Sequence, residues 1–377
     1  MSIDAFSQYF STLTDPRQSS KISYPLFDVL FLSITAIIAG AEGWEDIEDF
    51  GETYLDWYQE KTLFPNGIPG HDAIARLISR LNPVEFQHCF IHWAQWVNER
   101  SEGEIIAIDG KTLRGTYDGK NRQSMLHMVS AFATQNGVVM GQLKTDKKSN
   151  EITAIPKLLR LLDITGCLIT IDAMGCQTKI AEQIVQQEGD YLLAVKGNQE
   201  TLYRAVKKAL SAQVSAVSHA ENITIEQGHG RIEAREYHVL PAQALSQQFP
   251  EWKNLKTVGV AIGYRIDNKG KESLDYRYYI SSAELSTDKF AAAVRGHWGI
   301  ETRLHWVLDV TMGEDACLIH RGESAEILGC MRHISVNMLR AETTKKASIR
   351  RKQRLASMDI NYLDKVLVAG FKALGKK

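Results

Sequence analysis

Two aspartates and a glutamate are placed where residue type and spacing could do chemistry. Asp109 ends the apolar run EIIAIDG, and Asp172 ends CLITIDA in the same way. Short apolar runs of this kind read as buried strands. Each aspartate then stands at a strand end, where a ligand can reach it. An Asp-Gly step alone equally marks a plain turn. Two strand-end acids in one sheet say more, because neighbouring strands would make their carboxylates converge. Such oxygen donors are what a hard divalent cation like Mg2+ requires. Glu301 lies in RGHWGIETRLHW, within a helical pattern. His297, Glu301 and His305 follow one another at four-residue steps and share a helical face. That face is compatible with zinc, but the pattern is not HExxH. Trp298, Ile300, Leu304 and Trp306 are expected to pack the helix against its support.

The elements that must position these acids follow from periodicity and punctuation. Residues 1 to about 100 read as helical. The stretch from Leu26 to Ile38 is apolar nearly all round, so it is expected as a buried helix. It contains Asp28 and is shorter than the roughly 20 residues that span a bilayer. From Glu104 the pattern changes. HMVSAFATQNGVVMGQLK gives two strands around Asn136-Gly137, a hairpin signal. IPKLLRLLDI and TKIAEQIVQQEG read as helices, and YLLAVKG as another strand. The order β-β-β-α-β-α-β implies a mixed sheet with helices packed on it. ENITIEQ, RIEAREYHVL, LKTVGVAIGYRI and DYRYYISS read as strands of a β-rich insertion. Two helices follow, DKFAAAVRGHWGIETRLHWVLD and ESAEILGCMRHISVNMLRA, and then a basic tail.

Bulk composition excludes little. The 377 residues carry 44 Lys and Arg against 45 Asp and Glu, so a nucleic-acid partner must be argued from local patches. The five cysteines form no CxxC pair, which favours reduced, mostly buried thiols in a cytoplasmic protein. The start MSIDAFSQYF lacks the pattern of a signal peptide. No membrane association is expected.

AIDGKTLRGT, ITIDAMGCQ, YLLAVKGNQ, HGRIEAREY and RGHWGIETRLHWVLDV, in this order, resemble the motif blocks of bacterial insertion-sequence transposases of the DDE type, nearest the H-repeat-associated subgroup. The resemblance extends to DPRQSSKISYPLFDVLFLSITAIIAGAEGWEDIEDFG near the start. It implies an α/β fold with an RNase H-like catalytic core, a mixed sheet flanked by helices. A helical N-terminal domain (1–100) precedes the core, which comprises residues 101–201 and 283–340. A β-rich insertion (202–282) interrupts it, and a basic C-terminal tail (341–377) follows.

The resemblance also makes Asp109, Asp172 and Glu301 the three catalytic acids and metal ligands. They would hold two Mg2+ ions, with Mn2+ able to substitute, for cleavage and strand transfer of DNA. The partners implied are the terminal inverted repeats of an element and its target DNA, with a homodimer in the DNA complex. Where related transposases carry Tyr, Arg and Lys around the last acid, this chain has Val294, His297 and Leu308.

Expected DNA contacts are Lys111 and Arg114 after the first acid, Lys144, Lys147 and Lys148 after the third strand, and Arg231 and Arg235 in the insertion. Arg295, His297, Trp298 and Arg303 around the last acid join them, with Arg350 and Arg351 in the tail. A solvated charged face is the bland reading of each. Two other functions fit the same sequence: a transposase-derived DNA-binding protein without catalysis, and an RNase H-like nuclease that cuts without joining.

Overall fold

A computed structural model of the chain describes residues 2–98, 103–113, 126–145, 151–216, 223–228 and 231–371. Six helices come first: α1 (Ser2–Phe10), α2 (Leu26–Ala39), α3 (Trp44–Thr53), α4 (Leu55–Glu60), α5 (His71–Ile78) and α6 (Pro83–Val97). The helix α2 is the buried apolar helix expected, and it stops where Gly40 turns left-handed at φ +105°. Asp28 inside it is buried and accepts a hydrogen bond from the Phe64 N–H at 3.1 Å. Among the described residues no single helix is long and apolar enough to cross a membrane.

Next come β1 (Ile105–Leu113), β2 (Leu126–Ala133), β3 (Val138–Lys144), α7 (Glu151–Leu161), β4 (Leu168–Ile171), α8 (Thr178–Gln186) and β5 (Asp190–Val195). The turn between β2 and β3 uses Gly137 at φ +71°, as the Asn-Gly signal implied. Then follow α9 (Glu200–Ala216), β6 (Ile223–Gly228), β7 (Arg231–Pro241), α10 (Gln243–Gln248), β8 (Thr257–Ile266) and β9 (Glu272–Ser281). The helices α9 and α10 were not foreseen. The nine strands among the described residues form one mixed sheet in the order β3-β2-β1-β4-β5-β9-β8-β7-β6. The β-rich segment is therefore no separate body. Its last strand, β9, pairs antiparallel with β5 from Leu192↔Ser281 to Val195↔Tyr278 and extends the core sheet sideways.

The chain ends with α11 (Thr287–Ile300), a π-helical turn (Glu301–His305), α12 (Trp306–Val310), α13 (Ser324–Ala341), α14 (Ile349–Met358) and α15 (Ile360–Phe371). The last two correct the expectation of a basic tail. Tyr362, Leu363, Val366, Leu367 and Phe371 are buried in one core with α1, α2, α6 and α13. Lys352, one of the basic residues of this segment, is buried and donates to the Leu339 carbonyl at 2.9 Å and to that of Glu342. Apolar periodicity within a basic composition was the signal overlooked. Arg350 and Arg351 remain exposed on α14.

That first core joins the N-terminal helices to α13–α15 and to the face of the sheet holding Ala107, Phe132 and Val139. On the edge strand β3, the Asn337 amide bonds both the N–H and the carbonyl of Val139 at 2.9 Å, so a helix side chain covers an open sheet edge. A second core lies under α7–α9, and a third, smaller one under α11. In the third, the distal end of the Phe290 ring of α11 abuts Gly259 of β8, where an added Cβ would meet it at 2.7 Å. Tyr237 and Tyr279 box the ring edge-on at 6.1 and 5.4 Å. The Gly259→Ala variant should therefore be overpacked and lose about 1–3 kcal/mol of stability. Thermal melting checks this, and an unchanged melting temperature would mean that α11 is not seated by this contact.

Candidate active site

The strands β1 and β4 lie side by side and parallel, in register from Ile105↔Leu168 to Ile108↔Ile171. Asp109 and Asp172 are the next residue on each strand, so both leave the paired segment at the same end. Side chains alternate across a strand. Ile108 and Ile171 point into the second core, and the two aspartates point to the opposite face, where α11 packs. One detail differs from expectation. Asp109 does not end β1, because Gly110 to Leu113 remain paired with β2 as far as Leu113↔Leu126. Only the pairing with β4 stops at the acid.

Glu301 is the first residue of the π-helical turn after α11. The expected helix thus bears a wider i→i+5 turn at the acid, a distortion frequent at functional sites. Asp109, Asp172 and Glu301 line one cavity of about 440 Å³, together with Lys196, Arg277, His297 and Trp298. The Asp172 carboxylate is oriented by its own loop, its Oδ1 accepting from the N–H groups of Met174 (2.9 Å) and Gly175 (3.2 Å). The motif YLLAVKGNQ supports that loop. Asn198 donates to the Ala173 carbonyl at 2.6 Å and Gln199 to that of Cys176 at 3.0 Å.

Electrostatics mark this cavity as strained. Burial pushes the Asp109 carboxyl up to about 7, and the negative charges of Glu151, Asp172 and Glu301 push in the same direction. Glu151 was not picked out from the sequence. It heads α7, and its carboxylate lies against Gly110, where a Cβ would meet it at 2.0 Å. Only the packing of α7 over β2 and β3 brings its first residue there. Among the described residues no group of three His, Cys, Asp or Glu is close enough to hold a metal ion. Like charges at short range repel unless a cation lies between them. The donor set, all carboxylate oxygen, fits a hard divalent ion.

The two histidines of this helix do not form a zinc face. His297 is buried, held neutral with its value lowered to about 4 by burial, and meets the Thr170 hydroxyl at 3.1 Å. It cannot be the DNA contact expected of it. Burial also lowers His305 to about 4, and its Nδ1 stands 3.7 Å from Asp109 Oδ2. A neutral ring at that distance makes neither an ion pair nor a hydrogen bond. Ile300 and Leu304 are buried as expected, but Trp298 and Trp306 are exposed rather than packed.

Several of the basic residues expected to meet DNA have partners within the protein, some buried and some in exposed ion pairs. Lys111 sits between the carboxylates of Asp309 and Glu314 with its side chain only 10% exposed. Lys144 reaches Glu323 and Glu326 at 3.6 and 3.7 Å. Arg303 donates to the Thr134 carbonyl and helps pin the β2–β3 turn. Arg231 pairs with Glu233 at 2.8 Å, and Arg235 and Arg295 share Glu226. Arg114, Lys147 and Lys148 lie outside the described residues. The cysteines are free, and all but Cys317 are buried.

With this geometry, the comparisons identify a class. Residues 100–338 match the family described as Transposase DDE domain, and residues 7–94 match DDE_Tnp_1-associated. The chain belongs to the DDE transposase family. It is 48% identical to H repeat-associated putative transposase YhhI of Escherichia coli (strain K12), over 97% of this chain and 98% of that one. It is 45% identical to putative transposase YncI of Escherichia coli O157:H7, over 98% and 96% of the two chains. A solved synaptic complex of piggyBac transposase with hairpin DNA aligns over 97% of this chain and 81% of that one, at a TM-score of 0.47 and 12% identity.

Two outcomes test the electrostatics. In the Lys111→Met variant, two carboxylates lose their counter-charge in a half-buried setting, and stability should fall by about 3–5 kcal/mol in urea unfolding. A loss under about 1 kcal/mol would mean that the lysine is a surface cation after all. The second outcome concerns pH. The Asp109 carboxyl holds its proton more tightly folded, at about 7, than at its ordinary value of 3.8. The folded state therefore binds more protons between those values, and stability falls as pH rises through that window. The Asp109→Asn variant should melt above the native protein at alkaline pH, and the gain should vanish at about pH 4. Melts in EDTA across the pH range would refute this if the two curves stayed parallel.

Proposed function

We propose that this protein is a DNA transposase that cuts and rejoins DNA strands, with Asp109, Asp172 and Glu301 as its catalytic carboxylates. One observation carries the reading: the two aspartates leave adjacent parallel strands at the same end, and Glu301 enters the same cavity from α11. The order β3-β2-β1-β4-β5, with helices on both faces, is that of an RNase H-like core and supports it. The implied cofactors are two Mg2+ ions, for which Mn2+ could substitute. Bound among the three carboxylates, such ions would supply Lewis-acid stabilisation to the attacking and leaving oxygens of an in-line displacement.

The chain itself orients the donors. The backbone N–H groups of Met174 and Gly175 fix Asp172, and parallel pairing fixes Asp109 beside it. His297, buried and neutral, supports the helix face without taking a proton at neutral pH. No side-chain nucleophile is required, since water or a DNA 3′-hydroxyl attacks phosphorus. The partners proposed are an element's terminal repeats and target DNA, with two copies of the chain in the complex.

Asp109→Asn, Asp172→Asn and Glu301→Gln should each reduce Mg2+-dependent cleavage of an element-end duplex by roughly a thousandfold or more, the equivalent of several kcal/mol of lost charge stabilisation. DNA binding in EDTA should persist. Native-level cleavage by any one variant removes that residue from the assignment. Cleavage by the native protein without joining to a target would make it a nuclease instead.

A further inference from the structure

Beyond the acids, β7, β8 and β9 run on past the part of the sheet that α11 covers. Under the helix this face is apolar, with Tyr237, Ala261 and Tyr279 around Phe290. Farther out it carries Arg235 and Arg277, paired with Glu233 and Asp275, and becomes the floor of a cleft of about 740 Å³, walled by the C-terminal half of α11. Asp275, Arg277 and Trp298 line both this cleft and the acidic cavity, so the two are continuous. Arg277 lies over the Trp298 ring at 4.3 Å, and Trp298 is 38% exposed. Guanidinium groups beside an exposed aromatic face suit a nucleic-acid strand.

The arrangement at Glu226 adds a second observation. This carboxylate stands on the edge strand β6, exposed along its whole length. It reaches Arg235 of β7 at 2.8 Å and Arg295 of α11 at 2.5 Å. Two guanidiniums from separate elements thus converge on one anion across the mouth of the cleft. Arginine forks match carboxylate and phosphate oxygens alike. Exposed ion pairs add little net stability, so exchanging this carboxylate for another anion costs the fold little.

We infer that Glu226 occupies a phosphate subsite: it clasps Arg235 and Arg295 in the free protein, and a backbone phosphate of the DNA strand leading to Asp109, Asp172 and Glu301 takes its place. This rests on the transposase reading and adds the path of the strand and an internal competitor for it. Glu226→Gln removes the one carboxylate that both arginines share and leaves them in place, with Glu233 still paired to Arg235.

The test is binding of a labelled mixed-sequence DNA duplex to the full chain in EDTA, over a series of salt concentrations. Glu226→Gln should bind about tenfold tighter than the native protein, since a phosphate no longer has to displace a carboxylate. Arg235→Gln with Arg295→Gln should bind more weakly and flatten the salt dependence by roughly one unit, for the one phosphate no longer neutralised. In that doubly substituted background, Glu226→Gln should change affinity by less than about twofold, because the coupled partners are gone. Thermal melts of all variants confirm that each is folded. An unchanged affinity for Glu226→Gln, or an equal gain with and without the arginines, overturns the clasp while leaving the transposase reading intact. No DNA binding by the native protein at any salt concentration would instead remove DNA as the partner, and the clasp with it.

Discussion

Negative charge is crowded at the end of a parallel strand pair, and much of the molecule is arranged around that crowding. Pairing of β1 with β4 obliges Asp109 and Asp172 to leave the sheet together. Packing of α7 and α11 adds Glu151 and Glu301 to the same neighbourhood. In water four carboxylates would separate. Here the backbone holds them, and the Asp109 carboxyl is raised first by burial and further by these neighbouring charges. A bound multivalent cation, as proposed above, would invert that penalty.

Holding such a site requires rigid surroundings. Lys111, two residues after Asp109, is locked between Asp309 and Glu314 at the far end of the helix that carries Glu301. The lysine therefore joins the strand of the first acid to the helix of the last. Arg303 and Arg340 do similar work at the β2–β3 turn, where Arg340 donates to the Gly137 carbonyl at 2.7 Å. Behind the sheet, α14 and α15 complete the core that α2 begins. The Tyr54 hydroxyl donates to the Ser357 carbonyl at 2.6 Å, and Trp57 donates to Asp364 at 3.1 Å, linking the first helices to the last.

The sideways extension of the sheet has a different consequence. Because β9 pairs with β5, strands from the inserted segment stand directly beside the acids. One face of these strands is covered by α11 where it is apolar and open where it bears arginine. The arginine-bearing cleft and the acidic cavity therefore share one continuous surface, with Arg277 and Trp298 at the junction.

Residue type and period alone determined much of this protein. Apolar runs ending in aspartate located β1, β4 and their acids, and Asn136-Gly137 located the hairpin. A helical pattern held Glu301, and four short segments read as the strands of the insertion. These are local signals, written in a few neighbouring residues. What depended on distant contacts was not legible. A lysine's sequence position does not reveal that Asp309 and Glu314 will enclose Lys111, so its expected role at DNA was reassigned only in three dimensions. A basic composition hid the apolar faces of α14 and α15, because burial there depends on α1 and α2 more than 300 residues away in the chain. Nor does Glu151 carry any mark of its place beside Gly110. Tertiary packing decided which charges meet and which face solvent, because electrostatic and hydrophobic interactions act through space and are indifferent to separation along the chain.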